Sequence, residues 1–365
     1  MLLLLYVDDL LVAHRKQTTE DDTATTVINK LMQKFKMINL GEASKFIGME
    51  LVKRKDGTGH DLHQEAYING MLERYNHTEA HGYLTPLNIH VDLFRATHIE
   101  DKALDKKQTK LYQALIGSLM YAALGSRPDI AFAVTTLSRF NTAPLQFHMT
   151  AACRVLRYLK ATKSLGIRFT RTGTTDLPSQ SDPPSEPRII DITACQPNPD
   201  AYKYISAQCD CDWGGCGKDR KSIGGMVFFH SGAPISWQSK RQSVVAGSTV
   251  EAEFISCSHA AREAAWLRRL HTDMLQLGPT NTYRPPIIIG CDNQAAVARI
   301  ADGKFSTMTK HIDVKYRHAV DEQKKNNILV QYVNTKENAA DVLTKALARE
   351  PHKGMLTLLG MEKHE

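Results

Sequence analysis

Residues 171–200 read RTGTTDLPSQSDPPSEPRIIDITACQPNPD, a run crowded with Pro, Ser, Thr and Asp. A segment of that composition buries too little apolar surface to offset the entropy of ordering it. It reads as an exposed linker or a long insertion. The chain is therefore expected to build separate cores on either side of it.

Beyond the break, the pattern predicts strands near 202–212, 223–230 and 233–238, then a helix near 249–275. A strand at 286–291, a helix at 293–301, a helix near 313–324, a strand at 328–333 and a last helix from about 336 follow. Strands first, then alternating helix and strand, argue for a mixed α/β domain. Ahead of the break, residues 1–13 read as strand, tight acidic turn, strand. Residues 24–37 have helical spacing, with Val27, Ile28, Leu31, Met32 and Phe35 on one side. A strand around Phe46–Val52 and a glycine-containing turn at Asp56–Gly59 come next. Residues 66–75 and 106–160 read as mostly helical, with Arg127–Pro128 ending one helix and starting another. The expected division is 1–85, a mostly helical 86–170, the 171–200 linker, a second domain at 201–350 and a tail at 351–365.

Composition narrows the classes. Of 365 residues, 42% are hydrophobic, so wholesale disorder is excluded. Seven cysteines, an odd number with no secretory signal, make a disulfide framework a poor fit and a reducing compartment a better one. The opening MLLLLYVDDLLVA has no basic segment ahead of its apolar run, and Asp8 and Asp9 break that run. It is expected to be neither a signal peptide nor a membrane span, and no other stretch reads as long and apolar enough to be one. A cytoplasmic or nuclear location is expected. Lys plus Arg number 46 against 39 Asp plus Glu, a net charge of +7 that permits a polyanion partner without demanding one.

Four acids in the second half stand where chemistry can use them. Asp210 lies in the strand QCDCDW. Alternation puts Asp210 and Asp212 on one face, and Cys209 and Cys211 on the other as small core residues. A zinc site from Cys209, Cys211 and Cys216 is the alternative, weakened by the lack of a second pair or a clustered histidine. Ser248 and Glu251 fit a capping box, which gives Glu251 a structural role. Glu253 instead shares a helix stripe with Cys257, Ala260, Ala264 and Leu267. An acid on a buried stripe is costly unless paired or metal-bound. Asp292 follows the aliphatic strand at Ile287–Ile289, at its carboxyl end ahead of a helix, where ligand sites in α/β sheets gather. Asp292 or Asn293 as a plain helix cap is the competing reading. Asn334 and Glu337 suggest another capping box, with Asp341 in the second turn of the final helix. Alone, Asp341 reads as solvated surface. Together the four form a set suited to two hard divalent cations.

The segments CDCDWGGCGKDRKSIGGMVFFHSGAPISWQSKRQSVVAGSTVEAEFISCSHAAREAAWLRRL, IIIGCDNQAAV, TKHIDVKYRHAV and ADVLTKAL closely resemble the ribonuclease H domain of copia-type retrotransposons, over about residues 203–347. The resemblance implies a ribonuclease H-like domain with a mixed five-stranded sheet and helices. It places the catalytic, metal-binding quartet on Asp210, Glu253, Asp292 and Asp341. It implies two Mg2+ or Mn2+ ions and cleavage of the RNA strand of RNA–DNA hybrids, leaving a 3′-hydroxyl. Asp210 and Asp292 would contact both ions or lie between them, and Glu253 and Asp341 would complete the two sites. It also suggests substrate contacts for Lys240, Arg241, Lys310 and His311, with solvated surface as the alternative for each. Trp237 reads as core rather than as a stacking platform. Small residues usually stand in the family where Cys209 and Cys211 are. Its Ser-Thr-Ser-Gly turn corresponds to Ser222–Ile223–Gly224–Gly225, and its Ser-Ser-Thr to Gly247–Ser248–Thr249. The loop histidine of many ribonucleases H is replaced by Asn334 and Thr335.

Tyr6–Val7–Asp8–Asp9 between two apolar strands resembles the YVDD motif of reverse transcriptases. KFKMINLGEASKFIGMEL, LHQEAYINGMLERY and YQALIGSLMYAALGSRPDIAFAVTTLSRF extend that resemblance over about residues 1–165. The first 85 residues are thus expected to be a truncated polymerase palm carrying Asp8 and Asp9 as remnant metal ligands, followed by a helical connection. A further catalytic aspartate belongs upstream of Tyr6, so DNA synthesis by this chain alone is not expected. Two other readings follow: an inactive nucleic-acid-binding relic, or part of an active polymerase completed by a separate upstream segment.

Overall fold

The computed structural model describes residues 1–14, 23–89, 93–94, 102–170, 205–217, 219–274, 286–303 and 316–364. The 171–200 linker and the candidate contacts Lys310 and His311 lie outside the described residues.

Strands β1 (Leu2–Tyr6) and β2 (Asp9–Ala13) pair as an antiparallel hairpin that forms a sheet of its own. Every residue of β1 is exposed, despite four consecutive leucines. Val7 in the turn has φ 51°, a conformation that β-branched residues rarely adopt. Helix α1 spans Thr23–Lys34.

A second sheet, antiparallel throughout, has β3 (Lys45–Phe46), β4 (Met49–Lys53), β5 (Gly59–His63) and β6 (Leu165–Thr170) in sequence order. Between β5 and β6 run α2 (Glu65–Arg74), α3 (Lys106–Gly125), α4 (Ala131–Ser138) and α5 (Gln146–Ala161). Asp105 and Gln108 close a full capping box on α3. The apolar faces of these helices form one core around Ile68, Tyr112, Leu119, Val134 and Leu156. The Arg127–Pro128 junction is a 3-10 turn, Pro128–Ile130, as the proline suggests. The surrounding sequence did not foreshadow that Arg127 and Asp129 are both fully buried, joined Nη2 to Oδ2 at 2.7 Å. The Tyr158 hydroxyl also donates to Asp129, at 2.6 Å, and Arg127 Nη1 donates to the Thr162 carbonyl at 3.0 Å.

The sheet of the second half carries the site. Strand β7 (Ser206–Asp212) runs antiparallel to β8 (Ile223–His230), and β8 antiparallel to β9 (Ala233–Arg241). Ser231 and Gly232, both at positive φ, make the two-residue turn that matches strand twist in a hairpin. Helix α6 (Thr249–Met274) crosses to β10 (Ile287–Cys291), which joins β7 in parallel. Helices α7 (Gln294–Asp302) and α8 (His318–Lys324) lead to β11 (Ile328–Tyr332), parallel to β10. The order is β11-β10-β7-β8-β9, the mixed five-stranded sheet expected for a ribonuclease H-like domain.

Strand alternation gives this sheet two covered faces. Cys209, Cys211, Met226 and Phe228 face α6, whose stripe of Cys257, Ala260, Ala264 and Leu267 is buried as the helical spacing predicts. Val227 faces the other side and packs on Ala131, Ala339, Leu343, Met355 and Met361. Those residues come from the helical region and from the C-terminus. The 351–365 stretch, expected as a tail, instead contributes most of helix α9 (Arg349–Leu358) and the strand β12 (Met361–Lys363), which pairs with β6. The last residues thus tie the two halves together. Trp237 Nε1 adds a hydrogen bond to the Ala123 carbonyl at 2.8 Å, and this residue is core, as read from sequence.

The segment around 336 also departs from expectation. It forms two 3-10 turns, Thr335–Glu337 and Ala339–Leu343, rather than one α-helix. The side chains of Asn334 and Asn338 accept from the backbone N–H two residues on, at Lys336 and Ala340. Such local bonds compete with the α-helical ladder, and two asparagines four apart interrupt it twice.

Candidate metal centre

Each acid reaches the site from a different element. Asp210 sits in β7 on the face away from α6. Its register partner on β8 is Gly225. A side chain at Gly225 would strike Leu343 Cβ and Thr344 Cγ2 at 2.8 Å and the Ala340 carbonyl at 3.0 Å. The glycine lets the turn that carries Asp341 lie directly on the strand beside Asp210. Of the Ser222–Gly225 stretch, Ile223, Gly224 and Gly225 begin β8, the strand expected near 223–230, and the Ser222 hydroxyl accepts from the Gly214 N–H at 3.2 Å.

Two amides fix that turn. Asn338, fully buried, donates from Nδ2 to the Cys209 carbonyl at 2.9 Å. Gln208 donates to the Glu337 carbonyl at 3.0 Å and accepts from the Ala339 N–H at 2.7 Å. Asn338→Ala strands the Ala340 N–H and the Cys209 carbonyl, and is expected to cost about 1–3 kcal/mol. Urea unfolding measures the loss; a change below about 0.5 kcal/mol would argue that these bonds do not hold the turn.

Asp292 follows β10 directly. Its neighbour Asn293 caps α7, accepting from the Ala296 N–H at 3.0 Å, which settles the two cap readings in favour of Asn293. Asp292 Oδ2 accepts from the Thr335 hydroxyl at 2.8 Å instead. The position read as lacking a loop histidine thus holds a hydrogen-bond donor to an acid. Glu251 has the structural role expected of it. Its Oε2 accepts from the Gly247 N–H at 2.7 Å, and its own N–H bonds the Ser248 hydroxyl at 3.2 Å.

The carboxylates of Asp210, Asp292 and Asp341 each offer an oxygen within 4.8 Å of the others. Glu253, approaching from the α6 face, offers one within 4.8 Å of Asp292 and of the Cys291 sulfur. Asp292 is therefore the member common to both groups. Crowding and burial act together on these acids. Burial first, then the Asp341 charge, pushes Asp210 up to about 6. Burial first, with Cys291 and Asp210 beside it, pushes Glu253 up to about 11. Burial also raises Asp292 and Asp341.

Two groups that the sequence reading passed over, Thr344 and Lys345, complete the centre. The Thr344 hydroxyl donates to Asp210 Oδ2. Lys345 Nζ lies 2.8 Å from Asp341 Oδ1. Burial works against the Lys345 charge, but Asp210 and Asp341 more than offset it and hold the ammonium protonated. Asp212, on the same strand face as Asp210, is also raised by burial. The spacing ADVLTK was the available signal for Lys345, four residues after Asp341.

The other candidates lie elsewhere. Lys240 and Arg241 end the edge strand β9 and are exposed; Arg241 pairs with Asp219. Register puts Arg241 in line with Ile223 and Asp212, on the Asp210 face, and sends Lys240 to the opposite one. Asp8 and Asp9 are exposed on the β1–β2 hairpin and join no cluster of three ligand-type side chains among the described residues. Cys209, Cys211 and Cys216 form no such cluster either: Cys211 takes the Gln242 amide at 3.2 Å, and Cys216 takes Arg139 Nη2 at 2.8 Å. Among the described residues no helix is long and apolar enough to cross a membrane.

Residues 1–89 match the family described as reverse transcriptase (RNA-dependent DNA polymerase). The chain is 34% identical over 370 residues to the retrovirus-related Pol polyprotein from transposon TNT 1-94 of Nicotiana tabacum, covering 100% of this chain and 24% of that protein. It is 31% identical over 363 residues to the corresponding polyprotein from transposon RE1 of Arabidopsis thaliana, covering 99% of this chain and 22% of that one. The chain thus spans about a quarter of the length of these relatives. Among solved structures, LC11-RNase H1 in complex with an RNA/DNA hybrid aligns with 39% of this chain and 94% of its own, at 15% identity and a TM-score of 0.28. RNase H1 from the halophilic archaeon Halobacterium salinarum NRC-1 aligns with 38% and 93%, at 15% identity and a TM-score of 0.29. Matched from end to end by these polyproteins and over its first 89 residues by the reverse-transcriptase family, the chain belongs to the retrovirus-related Pol polyproteins of copia-type transposons.

Proposed function

We propose that the second domain is a ribonuclease H that hydrolyses the RNA strand of RNA–DNA hybrids with two divalent cations, Mg2+ or Mn2+. The observation that carries this reading is the meeting of Asp210, Asp292 and Asp341 within 4.8 Å, with Glu253 joined through Asp292. Buried like charges this close are costly unless a cation neutralises them. The donors of the Asp210, Asp292 and Asp341 group are all carboxylate oxygens, the ligand set of hard divalent ions. Asp210, Glu253, Asp292 and Asp341 would hold the ions. When bound, such ions supply an activated water and stabilise the charge of phosphodiester hydrolysis.

The protein's own part is placement. The Thr335 and Thr344 hydroxyls orient Asp292 and Asp210, and Gln208 with Asn338 seats Asp341. Lys345 offsets part of the cluster's charge before an ion arrives. Arg241, on the acid face, fits contact with a substrate phosphate, and Lys240 fits one further round the strand edge. The 2′-hydroxyl and the shape of the hybrid, rather than base edges, would mark the substrate.

The test is cleavage of an end-labelled RNA–DNA hybrid by the purified chain with Mg2+ or Mn2+, beside Asp292→Asn. Expected is metal-dependent cutting of the RNA strand that the variant loses. A folded chain that binds the hybrid and never cuts it would overturn the enzyme reading and leave a binding relic.

A further inference from the structure

A second ligand cluster lies directly behind the acids. Cys209 on β7, Cys257 on α6 and Cys291 on β10 are all 0% exposed, and their sulfurs lie within 4.8 Å of one another. Cys209 Sγ and Cys257 Sγ are 3.4 Å apart. The backbone explains the meeting. Cys291 and Cys209 are register partners on adjacent parallel strands, so their side chains leave the same face of the sheet. That face is covered by α6, and Cys257 is on its buried stripe. Each thiol is wired to one acid: Cys209 precedes Asp210, Cys291 precedes Asp292, and Cys257 is one helical turn beyond Glu253.

We propose that these three thiols form a buried site for a soft divalent cation of the zinc group, distinct in chemistry from the oxygen-lined centre beside it. Metal–sulfur bonds of about 2.3 Å set sulfur–sulfur separations of about 4 Å, and the cluster is already at that scale. Thiolates select soft cations, whereas Mg2+ and Mn2+ keep to the carboxylates. Each ligating thiol gives up its proton to solvent, and a divalent ion offsets two of the three resulting charges. The two centres share a wall, because Cys291 Sγ is 3.9 Å from Glu253 Oε2. The proposal stands without the ribonuclease reading, since it concerns sulfur ligands alone.

The test uses the full, reduced chain with Cd2+ as the probe and excess Mg2+ present to fill oxygen sites. One equivalent is expected to saturate an ultraviolet thiolate-to-cadmium charge-transfer band and to raise Tm. Alkylation followed by peptide mass mapping should find Cys209, Cys257 and Cys291 protected together. Cys257→Ser is expected to lose the band, while Cys153→Ser, at a half-buried thiol outside the cluster, keeps it. No band at one equivalent, or protection of a different set of cysteines in the wild-type chain, would overturn the site whether or not the Cys257 variant folds.

Discussion

Asp210→Asn is expected to reduce metal-dependent hybrid cleavage by about 10³-fold or more, while making the metal-free protein more stable. The two effects share one cause. Asp210 is 3% exposed and within reach of Asp292 and Asp341, so its charge is costly in the folded chain without a cation. The amide removes that charge and can still accept from the Thr344 hydroxyl. It cannot supply the anionic oxygen that holds an ion. The pH dependence follows from the same group. Burial and Asp341 raise its folded pKa from 3.8 to about 6, so the folded state binds the proton more tightly than the unfolded state does. Its stabilising contribution is complete below about pH 4 and is lost as pH rises towards 6 and beyond. Thermal unfolding in EDTA between pH 4 and 7 should therefore show Tm falling less steeply in Asp210→Asn than in the wild-type chain. Saturating Mg2+ should narrow or reverse the gap, since only the wild type gains a ligand. A variant less stable than wild type at pH 7 in EDTA would refute the view that like-charge crowding dominates this site.

Arg127→Ala should destabilise the chain by about 3–5 kcal/mol. It leaves the Asp129 carboxylate fully buried with the Tyr158 hydroxyl as its remaining strong partner, and it strips a donor from the Thr162 carbonyl. The damage reaches beyond the helical core. The Arg127–Asp129 pair lies between α3 and α4, contacts α5 through Tyr158, and lies against His352 of α9. Burial is the largest influence on His352 and lowers its pKa, with Asp129 pulling the other way. α9 follows the turn that carries Asp341, so loosening this joint should also raise the metal concentration needed for cleavage. Denaturant unfolding gives the first number and a Mg2+ titration of activity the second. A loss under about 1 kcal/mol would show that water reaches Asp129 and that the pair is not the joint described here.

Much of the site was legible in the residues themselves. Period-two alternation in QCDCDW separates Asp210 and Asp212 from Cys209 and Cys211, and the sheet keeps that separation. The stripe through Cys257, Ala260, Ala264 and Leu267 singles out Glu253 over Glu251, and the hydrogen bonds of Glu251 agree. The aliphatic run before Asp292 reads as a buried strand and is one. Local chemistry suffices in these cases, because strand parity and helical periodicity are properties of the backbone.

What stayed hidden depends on contacts between segments far apart in the chain. Asp341 looked like solvated surface, because the cap at Asn338 does its larger work against Cys209, 129 residues away. The 351–365 stretch looked like a tail, because β12 is short and finds its ladder only on β6. Thr335 and Thr344 matter because the fold sets their hydroxyls against Asp292 and Asp210, and the four-residue spacing of Lys345 from Asp341 gains its meaning only once Asp341 is seen to be buried. The sequence by itself determined which residue types face which side of each strand and helix, since that follows from backbone period. Only the tertiary structure decided that three aspartates gather beside β7 while Glu253 reaches Asp292 from the α6 side, where three thiols also meet, because strand order and register are settled by packing between distant segments.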